Sequence, residues 1–222
     1  MHGFSLPMKL LLRPIRRISL SLLKLLPFLL TILIVSVDCS HAGSSAWAYQ
    51  GRGRANQLRV VIHKNAQLLD IQGRGNVLRR YRVCLGLNPK GAKKAAGDRR
   101  TPEGEYFICM KQAGSKFHRF LGISYPGEQD ARRAFEKGLI SLDARNSIIE
   151  KVRQGKTPPW NTKLGGWVGI HGYPTDDYRR LWISLFFPKP HNWTDGCIAL
   201  WNFEVEELFR SVPVGTPVTI LP

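Results

Sequence analysis

Two residues of this chain have the type and setting for nucleophilic acyl chemistry. Cys197 stands in Trp193-Thr194-Asp195-Gly196-Cys197-Ile198-Ala199-Leu200, and His171 closes Val168-Gly169-Ile170 ahead of Gly172. A free thiol has a pKa near ~8.5 and is mostly protonated at neutral pH, so attack on carbon needs a neighbouring imidazole. Gly196 lets the backbone approach a reacting group closely. A helix pattern follows Cys197, and its N-terminus would favour a thiolate and bring the thiol below the free value. A base at a strand end and a cysteine at a loop–helix junction can face each other across a cleft. The plainer reading of a lone cysteine is a small buried hydrophobe.

The elements that must position this pair are mostly strands. Apolar runs at 58–62, 67–71 and 77–85, separated by Lys64-Asn65 and Arg74-Gly75-Asn76, read as a meander. Residues 105–110, 120–125, 167–171, 182–187 and 218–221 read as further strands. Two helices interrupt them. Residues 130–137 bury Ala131, Ala134 and Phe135 and stop at Gly138, while 143–154 bury Ala144, Ile148, Ile149 and Val152 and stop at Gly155. The clearest helix is 203–212, with Asn202 as its cap, three glutamates near its start and a stripe of Val205, Leu208, Phe209 and Val212. Residues 86–104 form a long basic loop with Lys90, Lys93, Lys94, Arg99 and Arg100. The expected class is mainly β, with mixed, sandwich-like sheets and a few marginal helices in a single domain.

Composition sets the compartment and the partner. The 222 residues carry a formal charge of +17, with 43% apolar residues, which is globular composition. Residues 1–24 hold five bases and no acid, and the uncharged run 25–37 follows before Asp38. That order is a secretory signal, and thirteen residues fall short of the roughly 20 that span a bilayer. We read 1–42 as a signal peptide, with an uncleaved inner-membrane anchor as the alternative, 43–57 as a linker, and 58–222 as the exported domain. Export places the domain in the periplasm or cell envelope. Without residues 1–42 the chain still carries +13. Such charge often meets nucleic acid, but export favours an anionic envelope polymer, and a merely basic, soluble surface gives the same number. No nucleotide-binding glycine motif or paired C-x-x-C is present. The histidines lack ligand spacing, so neither metal nor cofactor is expected.

At these motifs the sequence resembles the L,D-transpeptidase catalytic domain family of the YkuD type. His171-Gly172, Thr194-Asp195-Gly196-Cys197-Ile198 and Asn202 follow its pattern, as does Gly97-Asp98-Arg99-Arg100-Thr101-Pro102-Glu103-Gly104-Glu105-Tyr106 upstream. The resemblance covers roughly residues 58–222. It implies a β-rich domain acting on peptidoglycan stem peptides in wall synthesis or remodelling. Carried over, Cys197 is the nucleophile, His171 the base and acid, and the Gly172 carbonyl orients the imidazole. Backbone around Asp195 and Gly196 would hold the oxyanion, with Thr194, Asp98, Arg99, Arg100, Thr101 and Gly104 on the substrate side. Two positions depart from the pattern. Asp195 replaces a frequent His, and an acid there opposes a thiolate unless it points away. Ala199 replaces a frequent Arg suited to a carboxylate, and branches with Ala there include hydrolytic members. Transfer and hydrolysis, the latter including release of a wall-linked protein, therefore both stay open, and a non-catalytic wall-binding module stands third. Arg99 or Arg100 is the candidate reader of a substrate carboxylate.

Other residues are assigned more plainly. His191 is a second-base candidate against a default of loop histidine, and His63 and His118 are surface or strand-edge residues. Cys84 and Cys109 are either a disulfide or two buried thiols. Trp160, Trp167, Trp182 and Trp193 either line a cleft or belong to the core.

Overall fold

The computed structural model describes residues 58–174 and 191–222. The signal or anchor segment, the linker, Trp182 and the expected strand 182–187 lie outside the described residues. Among these, no helix is long and apolar enough to cross a membrane.

The chain opens with a meander, β1 (Leu58–His63), β2 (Leu68–Gly73) and β3 (Asn76–Arg82). Both pairings are antiparallel. Arg74 and Gly75 have φ of 52° and 81°, the positive pair that a tight hairpin turn needs to match strand twist. The loop 83–103 leads into β4 (Gly104–Ser115), which turns back as β5 (His118–Ile123). Helices α1 (Glu128–Glu136) and α2 (Leu142–Arg153) follow, then β6 (Gly169–His171). The chain ends with β7 (Ile198–Ala199), α3 (Asn202–Ser211) and β8 (Pro217–Leu221).

The eight strands make one mixed sheet in the order β3-β2-β1-β8-β4-β5-β6-β7. β4 is the joint, because residues 104–107 pair with β8 and its later residues pair with β5 across two register shifts. Beyond β3, Cys84 exchanges hydrogen bonds with Ala199 at 2.9 and 2.8 Å, so the two far edges of the sheet are bridged. This makes the sheet class the one expected, with β7 as a strand that the apolar pattern does not mark.

Val60, Ile62, Leu69, Ile71, Ile108, Leu121, Ile170, Ile198 and Leu208 are fully buried in the core. The α1–α2 excursion buries Ala131, Ala134, Ile140, Ile148 and Ile149 against Leu164, as a satellite cluster. Gly138 and Gly155, with φ of 65° and 69°, end these helices as expected. α1 starts earlier than read from sequence, because the Asp130 carboxylate accepts the Gly127 amide at 2.9 Å and holds the first turn.

One expectation needs correction. Asn202 is not the cap of α3. Trp201 holds that position, its amide donating to Glu204 Oε2 at 3.0 Å, and Asn202 Oδ1 instead accepts the Tyr173 amide at 2.7 Å. Of the two readings left open for Cys84 and Cys109, the buried free thiols are what the structure has. The Cys84 thiol meets Tyr173 Oη at 3.2 Å, and Cys109 Sγ donates to Gly122 O at 3.4 Å.

Candidate active site

β6 and β7 run parallel, with Ile170 opposite Ile198 and His171 opposite Ala199. Cys197 immediately precedes β7, so the chain enters the strand next to the one that carries His171 directly after the cysteine.

His171 is 3% exposed. Its ring lies 4.6 Å from the Phe117 ring and 5.7 Å from the Trp193 ring, centroid to centroid. Nδ1 stands 2.7 Å from the Gly172 carbonyl oxygen. A carbonyl only accepts, so Nδ1 carries the proton and Nε2 of the neutral ring is the bare base. Gly172 itself has no room for a side chain. A Cβ there would lie 2.3 Å from Asn202 Oδ1, the atom that holds the next residue's amide.

Burial lowers the His171 pKa from 6.5 to about 4, against a smaller upward effect of the Gly172 hydrogen bond. The folded value lies below the unfolded one, so the folded chain binds fewer protons between these two values. The stability that neutral His171 contributes is present above about pH 6.5 and is lost as pH falls through about 4. The shift corresponds to roughly 3 kcal/mol. Thermal melting followed over this window is expected to show that loss, and a folded His171→Asn variant to show a flatter profile.

Cys197 is half-buried, and its thiol donates to the Trp167 carbonyl oxygen at 3.4 Å. Desolvation pushes the thiol up to about 11, while the Gly169 backbone and Lys93 pull it down and Asp195 pushes it up. The expected lowering below the free value is therefore corrected. α3 begins at Asn202, with Ile198–Trp201 between, and a helix end acts over about one turn. Burial thus shifts both groups toward their neutral forms.

The loop before Cys197 is held from within. Thr194 Oγ donates to the Cys197 carbonyl at 2.7 Å and accepts the Gly196 amide at 3.2 Å. Thr194 is 4% exposed, so its hydroxyl builds this loop rather than reaching outward. Gly196 has φ +130°, and a Cβ there would lie 2.5 Å from Arg100 O. Gly196→Ala is expected to displace the loop and lower catalytic efficiency by about a hundredfold or more, since a 1 Å misplacement has that effect. Parallel melting and turnover measurements check it.

Asp195 is exposed, yet its charge still opposes a thiolate at Cys197. Its side chain is 88% exposed, with Arg99 Nε at 3.6 Å. The basic loop runs beside Gly196, but its members differ. Asp98 accepts from Lys93 Nζ at 2.7 Å and from the amides of Lys94, Ala95 and Arg100 at 2.6 to 3.2 Å. Its oxygens are spent on the loop. Thr101 is fully buried and accepts the Gly86 amide at 3.0 Å, and Gly104, with φ 140°, starts β4. Arg100 Nη1 donates to Lys90 O at 2.7 Å. Arg99 is the arginine beside Asp195.

Phe117, in the β4–β5 turn, and Lys93, buried in the basic run, are site residues that the motifs do not mark. Trp167 is 59% exposed and packs its ring 4.4 Å from that of Trp160. Trp193 stacks near Tyr173 at 5.4 Å. His191 is exposed, and its backbone faces the Cys84 thiol. His63 and His118 pair with Asp70 and Glu206 at 3.5 and 3.2 Å. No cluster of three metal-ligating side chains occurs among the described residues.

A parallel strand pair, with a histidine of fixed tautomer on one strand and a cysteine just ahead of the other, marks the candidate site on a mainly β domain. The model of the YkuD family, L,D-transpeptidase catalytic domain, matches residues 57–220, and the chain belongs to this family. Among solved structures, the chain is similar to the helical cell shape determining protein Pgp2 from Campylobacter jejuni, at 24% identity and TM-score 0.47, over 74% of this chain and 47% of that one. Bd1075 from Bdellovibrio bacteriovorus matches at 18% identity and TM-score 0.45, over 74% and 48%. L,D-transpeptidase 1 from Mycobacterium tuberculosis matches at 17% identity and TM-score 0.40, over 75% and 62%. The chain thus spans about half the length of the first two. No curated protein matches.

Proposed function

We propose that this domain catalyses cysteine-dependent acyl transfer on peptidoglycan stem peptides in the cell envelope. The observation that supports the reading is His171, its Nδ1 held by the Gly172 carbonyl at 2.7 Å and its Nε2 left as the base, on the strand beside the one that Cys197 leads into. Cys197 Sγ attacks the carbonyl carbon before a D-residue as its proton passes to His171 Nε2. The S–C bond forms, and the oxyanion is met by the Cys197 amide, since the Gly196 amide is engaged by Thr194. The C–N bond then breaks, and His171 gives the proton to the leaving amine. An acceptor amine attacks the thioester, loses its proton to His171 and releases the thiol.

Hydrolysis by the same thioester is the second reading. Ala199 is 1% exposed and packs by Cys84 and Tyr173, so this position offers the cleft no cation. Purified muropeptides incubated with the enzyme and analysed by mass spectrometry separate the two. New cross-linked dimers are expected for transfer, and shortened or released peptides alone would replace it by hydrolysis. Arg99 is the candidate reader of a stem-peptide carboxylate, by its exposure and its place beside Asp195. Arg99→Ala is expected to lower efficiency about tenfold on free stem peptides and to leave amidated ones unchanged. Equal small losses on both, erased by salt, would assign it to general attraction.

A further inference from the structure

Two lysines are buried alike and used differently. The Lys64 and Lys93 side chains are 2% and 4% exposed. An ammonium has three donors. Lys64 places all three, on Gly91 O at 2.7 Å, Thr101 O at 3.0 Å and Glu103 Oε1 at 2.7 Å. It ties the end of β1 to the basic loop. Lys93 has a single hydrogen-bond partner among the described residues, Asp98 Oδ1 at 2.7 Å. Two donors of a buried cation are left over, which is costly unless something negative uses them.

The fold aims this cation at the nucleophile's loop. A Cβ built on Gly196 would lie 3.7 Å from Lys93 Nζ. Asp98 is itself fixed by three backbone amides, so the direction of Lys93 is fixed with it. The remaining charged and titratable groups around Cys197 do not offer this charge. His171 is buried and neutral at rest, Asp195 opposes a thiolate, Arg99 leans to Asp195, and Arg100 is turned to Lys90 O.

We infer that Lys93 is a positioning residue whose buried charge, set beside Gly196, stabilises the Cys197 thiolate. The inference rests on Cys197 being the nucleophile. In the step it serves, Sγ loses its proton to His171 Nε2 and Lys93 stays protonated throughout. The thiol and imidazole become thiolate and imidazolium, with the Lys93–Asp98 pair beside the Gly196 backbone.

The test reads the thiol directly. Cys197 in the full chain is alkylated by iodoacetamide over a range of pH, and peptide mass spectrometry separates it from Cys84 and Cys109. Lys93→Gln keeps a donor for Asp98 and removes the charge. Its alkylation rate near pH ~8 is expected to fall about tenfold, a profile shift of about one pH unit. Lys93→Arg restores most of the rate. Asp98→Asn removes the counter-charge and is expected to shift the profile the other way, with faster alkylation. A role confined to holding the loop would move both variants in one direction, without rescue by Arg. An unshifted profile in folded Lys93→Gln overturns the inference. If that variant does not fold, Asp98→Asn decides, and a rate that does not rise overturns it. Turnover retained by Cys197→Ala would instead remove the proposed function, while the effect of Lys93 on the thiol is read independently.

Discussion

Cys197→Ala is expected to leave a folded domain without measurable turnover of stem peptides. The one covalent bond between enzyme and substrate in the proposed reaction is made by this sulfur, so the loss is on the order of 10⁴-fold or more. The structural cost is small by comparison. Cys197 is half-buried, with one long hydrogen bond to the Trp167 carbonyl at 3.4 Å. Its loop is held by Thr194 and Gly196 through bonds that the substitution leaves in place. A change of about 1 kcal/mol is therefore expected. Thermal melting and muropeptide turnover on the same preparation check both parts. A folded variant with ordinary activity would end the thiol mechanism, and a variant that fails to fold would return Cys197 to the role of a packing residue.

His171 is expected to set the acid limb of turnover, and its loss to change the shape of the pH profile. Burial holds its pKa at about 4 and pushes the Cys197 thiol up to about 11, so both are neutral over the working range. Protonated His171 cannot accept the thiol proton, so activity should fall as pH drops through about 4 and stay level well above it. In His171→Asn no base remains, and only the thiolate already present reacts. Turnover at neutral pH is then expected to fall by about 10³-fold. The residual rate should climb with pH toward the thiol's own value instead of levelling. An acid limb that persists in folded His171→Asn, or that appears instead in His191→Ala, would place the base elsewhere.

Much of this was legible in sequence because local chemistry and tertiary role coincide. Gly172 and Gly196 stand where a Cβ would meet Asn202 Oδ1 and Arg100 O, so the motif glycines mark close approaches. The apolar stripes of α1 and α2 return as the Ala131–Leu164 cluster, since one-sided burial is what a helical period encodes. The rest depends on contacts that no period carries. β7 has two residues, too few to alternate, and exists because Cys84 and β6 flank it. The latter half of β4 carries Lys111, Gln112 and Gly114 across two register shifts, which erases the strand signal. Asn202 looks like a cap by type, yet its oxygen goes to Tyr173. The thiol's pKa follows from desolvation, which sequence does not display. Lys93 is one of five similar bases in the run, and only the fold buries it with Asp98 beside Gly196.

The most direct test of the central claim is the intact mass of the enzyme after incubation with a stem-peptide donor and quenching in acid. A thioester predicts a mass increase equal to the acyl part of the donor, without its leaving amine. Peptide mapping should place it on Cys197, hydroxylamine should remove it, and Cys197→Ala should not acquire it. Turnover that proceeds without an acylated Cys197, or an acyl group mapped to another residue, would contradict the account.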